Sequence, residues 1–115
     1  MFNLFSKTDT GFNHVLCDEL ESVIRNDNIT DNYEILDVRT EGEFSMGHIP
    51  DSKLYNLMDS MFRDNLKSLD RDKTYYVYCR SGSRSMTACR MMADLGFKNV
   101  NNVKFGLMGW NGPLV

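Results

Sequence analysis

Four β-forming residues, Tyr75-Tyr76-Val77-Tyr78, run straight into the polar stretch Cys79-Arg80-Ser81-Gly82-Ser83-Arg84, and a helical pattern follows at once. This succession restricts the fold more than any other feature of the chain. A nearly continuous apolar run bounded by polar residues suits a strand covered on both faces. Ala88, Cys89, Met92 and Leu95 then lie on one face of a helix predicted over 85–95. Gly96 followed by Phe97 marks its end.

The same alternation recurs along the chain. Leu16, Leu20, Val23 and Ile24 predict a helix over 16–26, with Asp18 and Glu21 resembling a capping box. Tyr33 to Val38 reads as a buried strand and Lys53 to Leu57 as a short one. Leu57, Met58, Met61, Phe62, Leu66 and Leu69 continue as a helical stripe. Asn99 to Val103 makes a last strand, and Lys104 to Trp110 a closing turn or short helix. Strands alternating with helices imply an α/β domain with a parallel sheet covered on both faces. The order of strands is left open.

A length of 115 residues allows one domain, read as 1–115 with a short N-terminal arm at 1–11. The net charge of −3 argues against a general nucleic-acid binder. No apolar run approaches the roughly 18–20 residues of a membrane span. Met1 to Lys7 lacks the basic lead and cleavage site of a secretory signal, so a cytoplasmic chain is expected. Three cysteines, Cys17, Cys79 and Cys89, are too few for a disulfide scaffold and are expected to be reduced. His14 and Cys17 would supply only two of the four ligands of a structural zinc site, so neither metal nor cofactor is expected.

Ligands of open α/β sheets bind beyond the carboxyl ends of the strands, where Cys79 falls. A short loop turning from strand into helix aims successive N–H groups inward and makes an anion cradle. The following helix adds its free amides and positive dipole end. Gly82 accommodates the curvature, and Arg80 and Arg84 place two positive charges beside the thiol. These terms favour a thiolate over the thiol of pKa about 8.5, and would equally hold a persulfide or an oxyanion.

On these residues the chain resembles the single-domain rhodaneses, the thiosulfate sulfurtransferases and their relatives. Ile35-Leu36-Asp37-Val38-Arg39 is similar to the family's strand-end motif, and Glu41 to Phe44 with Gly47-His48-Ile49-Pro50 to the segment after it. Tyr76 to Ser85 resembles the active-site loop, and Leu95-Gly96-Phe97 and Gly106 to Trp110 resemble later signatures. Two segments depart from the pattern. Asp51-Ser52-Lys53-Leu54-Tyr55-Asn56 replaces a small-residue turn, and Phe105-Gly106 stands where paired glycines are common.

The resemblance implies a three-layer domain with a parallel, about five-stranded sheet. It implies that Cys79 takes the sulfane sulfur of an anionic donor such as thiosulfate, releases sulfite, and passes the sulfur to cyanide or a thiol. The Arg80, Ser81, Gly82, Ser83, Arg84 and Ser85 loop would hold the persulfide, and a sulfur-accepting protein is a conceivable partner.

Other residues are expected to be structural. Asp37 and Arg39 support the loop, with Arg39 close enough in sequence to pair with Glu43. His48 needs no catalytic role, since a pre-formed thiolate needs no base, and His14 has no evident partner. Cys17 and Cys89 read as small hydrophobes, and the eight methionines as core filler. Tyr55, Phe62, Phe105, Leu107, Met108 and Trp110 could form an apolar rim, though core packing is expected for most.

Two other functions compete. A cysteine phosphatase or arsenate reductase would need an arginine six positions after the cysteine, where Ser85 stands. A non-turnover persulfide carrier would use the same loop.

Overall fold

A computed structural model describes residues 11–26 and 32–115. The arm expected at 1–11 lies outside them except for Gly11. Five strands form one sheet: β1 (Asn13–Val15), β2 (Tyr33–Asp37), β3 (Lys53–Leu54), β4 (Thr74–Tyr78) and β5 (Asn99–Val103). Their order is β1-β5-β4-β2-β3 and every pairing is parallel. The helices are α1 (Cys17–Arg25), α2 (Glu41–Ser45), α3 (Phe62–Leu66) and α4 (Ser83–Asp94), with a 3-10 turn at Gly106–Gly109.

Side chains of a strand alternate between faces, and β4 sorts them into two cores. Tyr75 and Val77 enter the larger core with Leu36, Val38, Phe62, Leu66, Met92 and Val100. Tyr78 enters the smaller one with Leu20, Ile35, Ile49 and Val103. Cys79 continues the row of Tyr75 and Val77 and joins the α4 side. The sulfur therefore sits where the central strand ends, beneath the helix that follows it.

Several elements differ from expectation. α1 is held at its start by Glu19, which accepts the Leu16 N–H at 2.9 Å, in place of the expected Asp18 and Glu21. β3 is only two residues long, and the stripe over 57–69 yields just α3. Asn56 and Asp59 turn their carboxamide and carboxylate oxygens onto the N–H groups of Met58 and Met61, at 2.9 and 2.8 Å. Such local bonds compete with a helix start.

α4 begins at Ser83, two residues before the expected start, so Ser83, Arg84 and Ser85 are its first turn. It ends as expected: Gly96 has φ +92°, and Phe97 N–H returns to Met92 O at 3.1 Å. The methionines are not mainly core filler. Met92 is fully buried, whereas Met46, Met58, Met61, Met86 and Met108 are exposed. Of the apolar rim, Phe62 is buried and Tyr55, Leu107 and Trp110 pack partly against the cores, but Phe105 and Met108 face solvent.

Candidate active site

The sulfur of Cys79 is 1% exposed and is surrounded by donors. Gly82 N–H points at Sγ from 3.1 Å and Ser85 N–H from 3.4 Å, and Ser85 Oγ lies 3.5 Å away. Gly82 caps α4 with φ +101°, a left-handed conformation that costs glycine little. The turn it makes aims these amides inward.

The outer side of the loop is held by the 3-10 turn. Leu107 N–H donates to Cys79 O and Met108 N–H to Arg80 O, each at 3.0 Å. The Cys79 and Arg80 carbonyls are thus committed to that turn, while the Gly82 and Ser85 N–H groups face the sulfur.

Burial pushes the Cys79 thiol up, but the hydroxyl and amide of Ser85 and the amides of Gly82 and Ser81 outweigh it and hold the pKa below the ordinary 9.0. Hydrogen bonds, not arginine charges, dominate this balance. Arg84 instead spends its guanidinium on Glu43, donating to both carboxylate oxygens at 2.7 and 3.0 Å. Arg80 is exposed. Of the two positive charges expected beside the thiol, that of Arg84 is shared with Glu43.

Glu43 is also the partner wrongly expected for Arg39. Arg39 lies two residues beyond Asp37, and its Nε meets both Asp37 oxygens at 3.0 Å while Nη2 reaches Oδ2 at 2.6 Å. The remaining reach of Nη2 goes to Gly47 O at 2.7 Å. The pair is buried, and it ties the end of β2 to the turn before Pro50. Tyr78 fastens that turn from β4: its hydroxyl accepts Ile49 N–H and lies against Ser52 Oγ, each at 3.1 Å. His48 stacks on Phe44 at 3.6 Å and contacts Phe44 O at 2.9 Å through Nδ1.

Residues 17–113 match the rhodanese-like domain family. The chain belongs to that family. It is 40% identical over 78 residues to a putative sulfurtransferase, YtwF, of Bacillus subtilis, covering 68% of this chain and 73% of that one. It is 29% identical over 97 residues to a sulfurtransferase of Allochromatium vinosum, covering 83% and 89%. The crystal structure of a rhodanese-like domain protein from Staphylococcus aureus superposes with a TM-score of 0.76 at 30% identity, over 87% of this chain and 92% of that one. Family and relatives together support a transferase that moves sulfur.

In this rhodanese-like domain the two departures from the family pattern have a common geometry. Asp51 and Phe105 are its only non-glycine residues with positive φ among the described residues, at 67° and 68°. Each holds a backbone conformation that a glycine would adopt without strain.

Three residues near the loop were not singled out from the sequence as parts of the site. Gly106 packs directly on the Cys79 and Arg80 carbonyls. Asn102, buried in β5, accepts the Ser85 hydroxyl at 2.5 Å and contacts His14 Nδ1 through Nδ2 at 3.2 Å. His14 therefore has a partner after all. Asn102 shares the segment between Val100 and Val103 with Asn101, and a polar residue on the buried side of that strand was the available signal. Cys17, with its thiol 3.2 Å from Gly106 O, faces the back of the 3-10 turn. Cys89 lies fully buried under the loop, and burial pushes its thiol up. A cleft of about 420 Å³ borders the loop through Ser81, Gly82 and Ser83, with His14 and Asn102 in its wall; Cys79 is not part of that wall.

Proposed function

We propose that the chain is a sulfurtransferase whose Cys79 cycles between thiolate and persulfide. The observation that carries this reading is the pair of backbone N–H groups, from Gly82 and Ser85, that point at a buried sulfur. The thiolate attacks the sulfane sulfur of thiosulfate or a similar anionic donor. A new S–S bond forms as the donor's S–S bond breaks, and sulfite leaves with the electron pair. The persulfide anion takes the place the thiolate held, within reach of the Arg80–Ser85 loop. A thiol acceptor or cyanide then attacks the outer sulfur, and Cys79 leaves as thiolate. Cyanide attacks as the anion and an acceptor thiol as its thiolate, its proton already given up to solvent. Neither attack calls on a base beside the sulfur, and none lies within bonding distance of it among the described residues. The whole chain acts as one unit in a reducing compartment, which we take to be the cytoplasm.

A carrier reading has one observation in its favour. The chain is 38% identical over 82 residues to a putative sulfur carrier protein, YrkF, of Bacillus subtilis, of whose length the match covers 43%. Intact-mass spectrometry after thiosulfate treatment tests both readings. A gain of one sulfur on Cys79 supports them, and Cys79→Ser must abolish it while Cys17→Ser retains it. Sulfur appearing elsewhere, or turnover surviving in Cys79→Ser, would refute the assignment. Multiple turnover with a small thiol separates enzyme from carrier.

A further inference from the structure

A line of hydrogen bonds runs from the sulfur to the wall of the neighbouring cleft. The Cys79 thiol faces Ser85 Oγ at 3.5 Å, the Ser85 hydroxyl donates to Asn102 Oδ1 at 2.5 Å, and Asn102 Nδ2 faces His14 Nδ1 at 3.2 Å. Asn102 is 1% exposed, whereas His14 is exposed. The direction of this line has a chemical consequence. With Asn102 Oδ1 accepting, the Ser85 proton points away from the sulfur, and Ser85 Oγ is an acceptor that suits a protonated thiol.

An ionised sulfur needs the opposite arrangement. A thiolate or persulfide has no proton to give, so the Ser85 hydroxyl must turn and donate to it. Ser85 Oγ then needs a donor behind it, and Asn102 provides one if its amide is reversed. The two ends of a carboxamide are nearly the same in shape, so the reversal leaves both contacts in place. It brings Oδ1 to His14 Nδ1, which must now carry a proton.

Resting on the reading of Cys79 as the sulfur-bearing residue, we propose that Asn102 and His14 are positioning residues that couple the charge of that sulfur to the proton on His14 Nδ1. The amide orientation is the two-state element. One state pairs the thiol with an unprotonated Nδ1, and the other pairs the anionic sulfur with Nδ1–H. Coupling of this kind is reciprocal: a proton on Nδ1 favours the anion, and the anion favours a proton there.

Other charges facing the two ends are few. Around His14 stand the Phe12 ring of its own strand at 5.4 Å, Asn102 of β5, Ser81, Ser83 and Met86 across the cleft, and Lys104. Lys104 is the one permanently charged group on that wall among the described residues. Around Cys79, the charge interactions are with Arg84, itself paired with Glu43, and with the Cys89 thiol.

The test is the pH profile of iodoacetamide alkylation, localised to Cys79 by mass spectrometry. The parent profile should spread wider than a single titration, with excess reactivity on its acid side. Asn102→Leu removes the donor behind Ser85 and should slow alkylation at pH 7 about tenfold. His14→Gln offers donor or acceptor at every pH, so the profile should narrow to a single titration, with reactivity at pH 5.5 reduced about threefold and rates at pH 8 unchanged. Profiles of both variants that superimpose on the parent overturn the coupling. His14→Gln alters an exposed residue and decides the matter alone should Asn102→Leu not fold. Alkylation needs no sulfur donor, so a chain that forms no persulfide yet shows the predicted profiles refutes the proposed function and leaves the coupling standing.

Discussion

Glu43 and Arg84 come from opposite ends of the site and meet in a two-point ion pair, Oε1 to Nη1 at 2.7 Å and Oε2 to Nη2 at 3.0 Å. Glu43 is itself oriented by the start of α2, where Thr40 Oγ1 accepts its N–H and its carboxylate reaches back to Thr40 N–H at 3.1 Å. The arginine nearest the sulfur along the helix is thus tied to an acid in the first turn of α2. Its charge is partly cancelled before any anion arrives.

Glu43→Gln should release that charge without removing the helix cap, because glutamine also serves in a capping box. The expected result is a KM for thiosulfate lowered about threefold at low salt, with little change in kcat. The difference should shrink as salt rises. Steady-state kinetics at two ionic strengths check it. The Arg84 guanidinium holds the Glu43 carboxyl at about 2, below its ordinary 4.5. A depressed acid stabilises the fold above its unfolded pKa and loses that contribution as pH falls, so the pair should survive to about pH 3 and dissolve nearer pH 2.

Gly106 has φ +52°, and a Cβ there would overlap the Cys79 carbonyl oxygen and stand 2.9 Å from the Arg80 carbonyl. Gly106→Ala should therefore cost on the order of 3 kcal/mol in urea unfolding and reduce sulfur transfer by more than about a hundredfold. Gly96→Ala is the control. Its φ is +92° but its Cβ would meet nothing, so a loss of about 1 kcal/mol with activity retained is expected.

Asp37 is fully buried and Arg39 is 5% exposed. Asp37→Asn keeps the shape but leaves the guanidinium without its counter-charge, which should destabilise the chain by about 3–5 kcal/mol. Adding Arg39→Met should recover much of that loss. A double-mutant cycle in urea measures the coupling, and simple additivity would show that the pair is not the support described above.

Alkaline conditions act on the buried core. Burial pushes the Tyr75 hydroxyl up to about 12 and raises Cys89 and Tyr78 as well. Groups raised in the folded state stabilise it fully below their unfolded pKa and less as pH climbs beyond it. Stability should therefore fall from about pH 9 upward. Cys89→Ala should flatten that fall by nearly one proton, about 1.4 kcal/mol per pH unit, in unfolding curves taken between pH 9 and pH 11.

Much of this was legible locally. The run Tyr75–Tyr78, the loop after it and the Gly96 stop announce strand, cradle and helix through neighbours in sequence. The short-range features misread were those where side chains compete with the backbone: Asn56 and Asp59 cut the expected helical stripe to α3. Arg39 was matched to Glu43 by spacing. Its actual partner Asp37 is nearer still, and Glu43 is drawn away by a guanidinium 41 positions along the chain.

The residues by themselves pointed to the Cys79 sulfur and to the kind of environment around it, because a strand end, a glycine-bearing turn and a helix start are adjacent in sequence and their amides converge by local geometry. Only the tertiary structure decided how much positive charge remains there and what stands behind Ser85. His14, Asn102, Gly106 and Glu43 come from β1, β5, the turn after it and α2, elements brought together by the β1-β5-β4-β2-β3 order of the sheet. Those contacts depend on long-range strand pairing, which no local pattern of residues records.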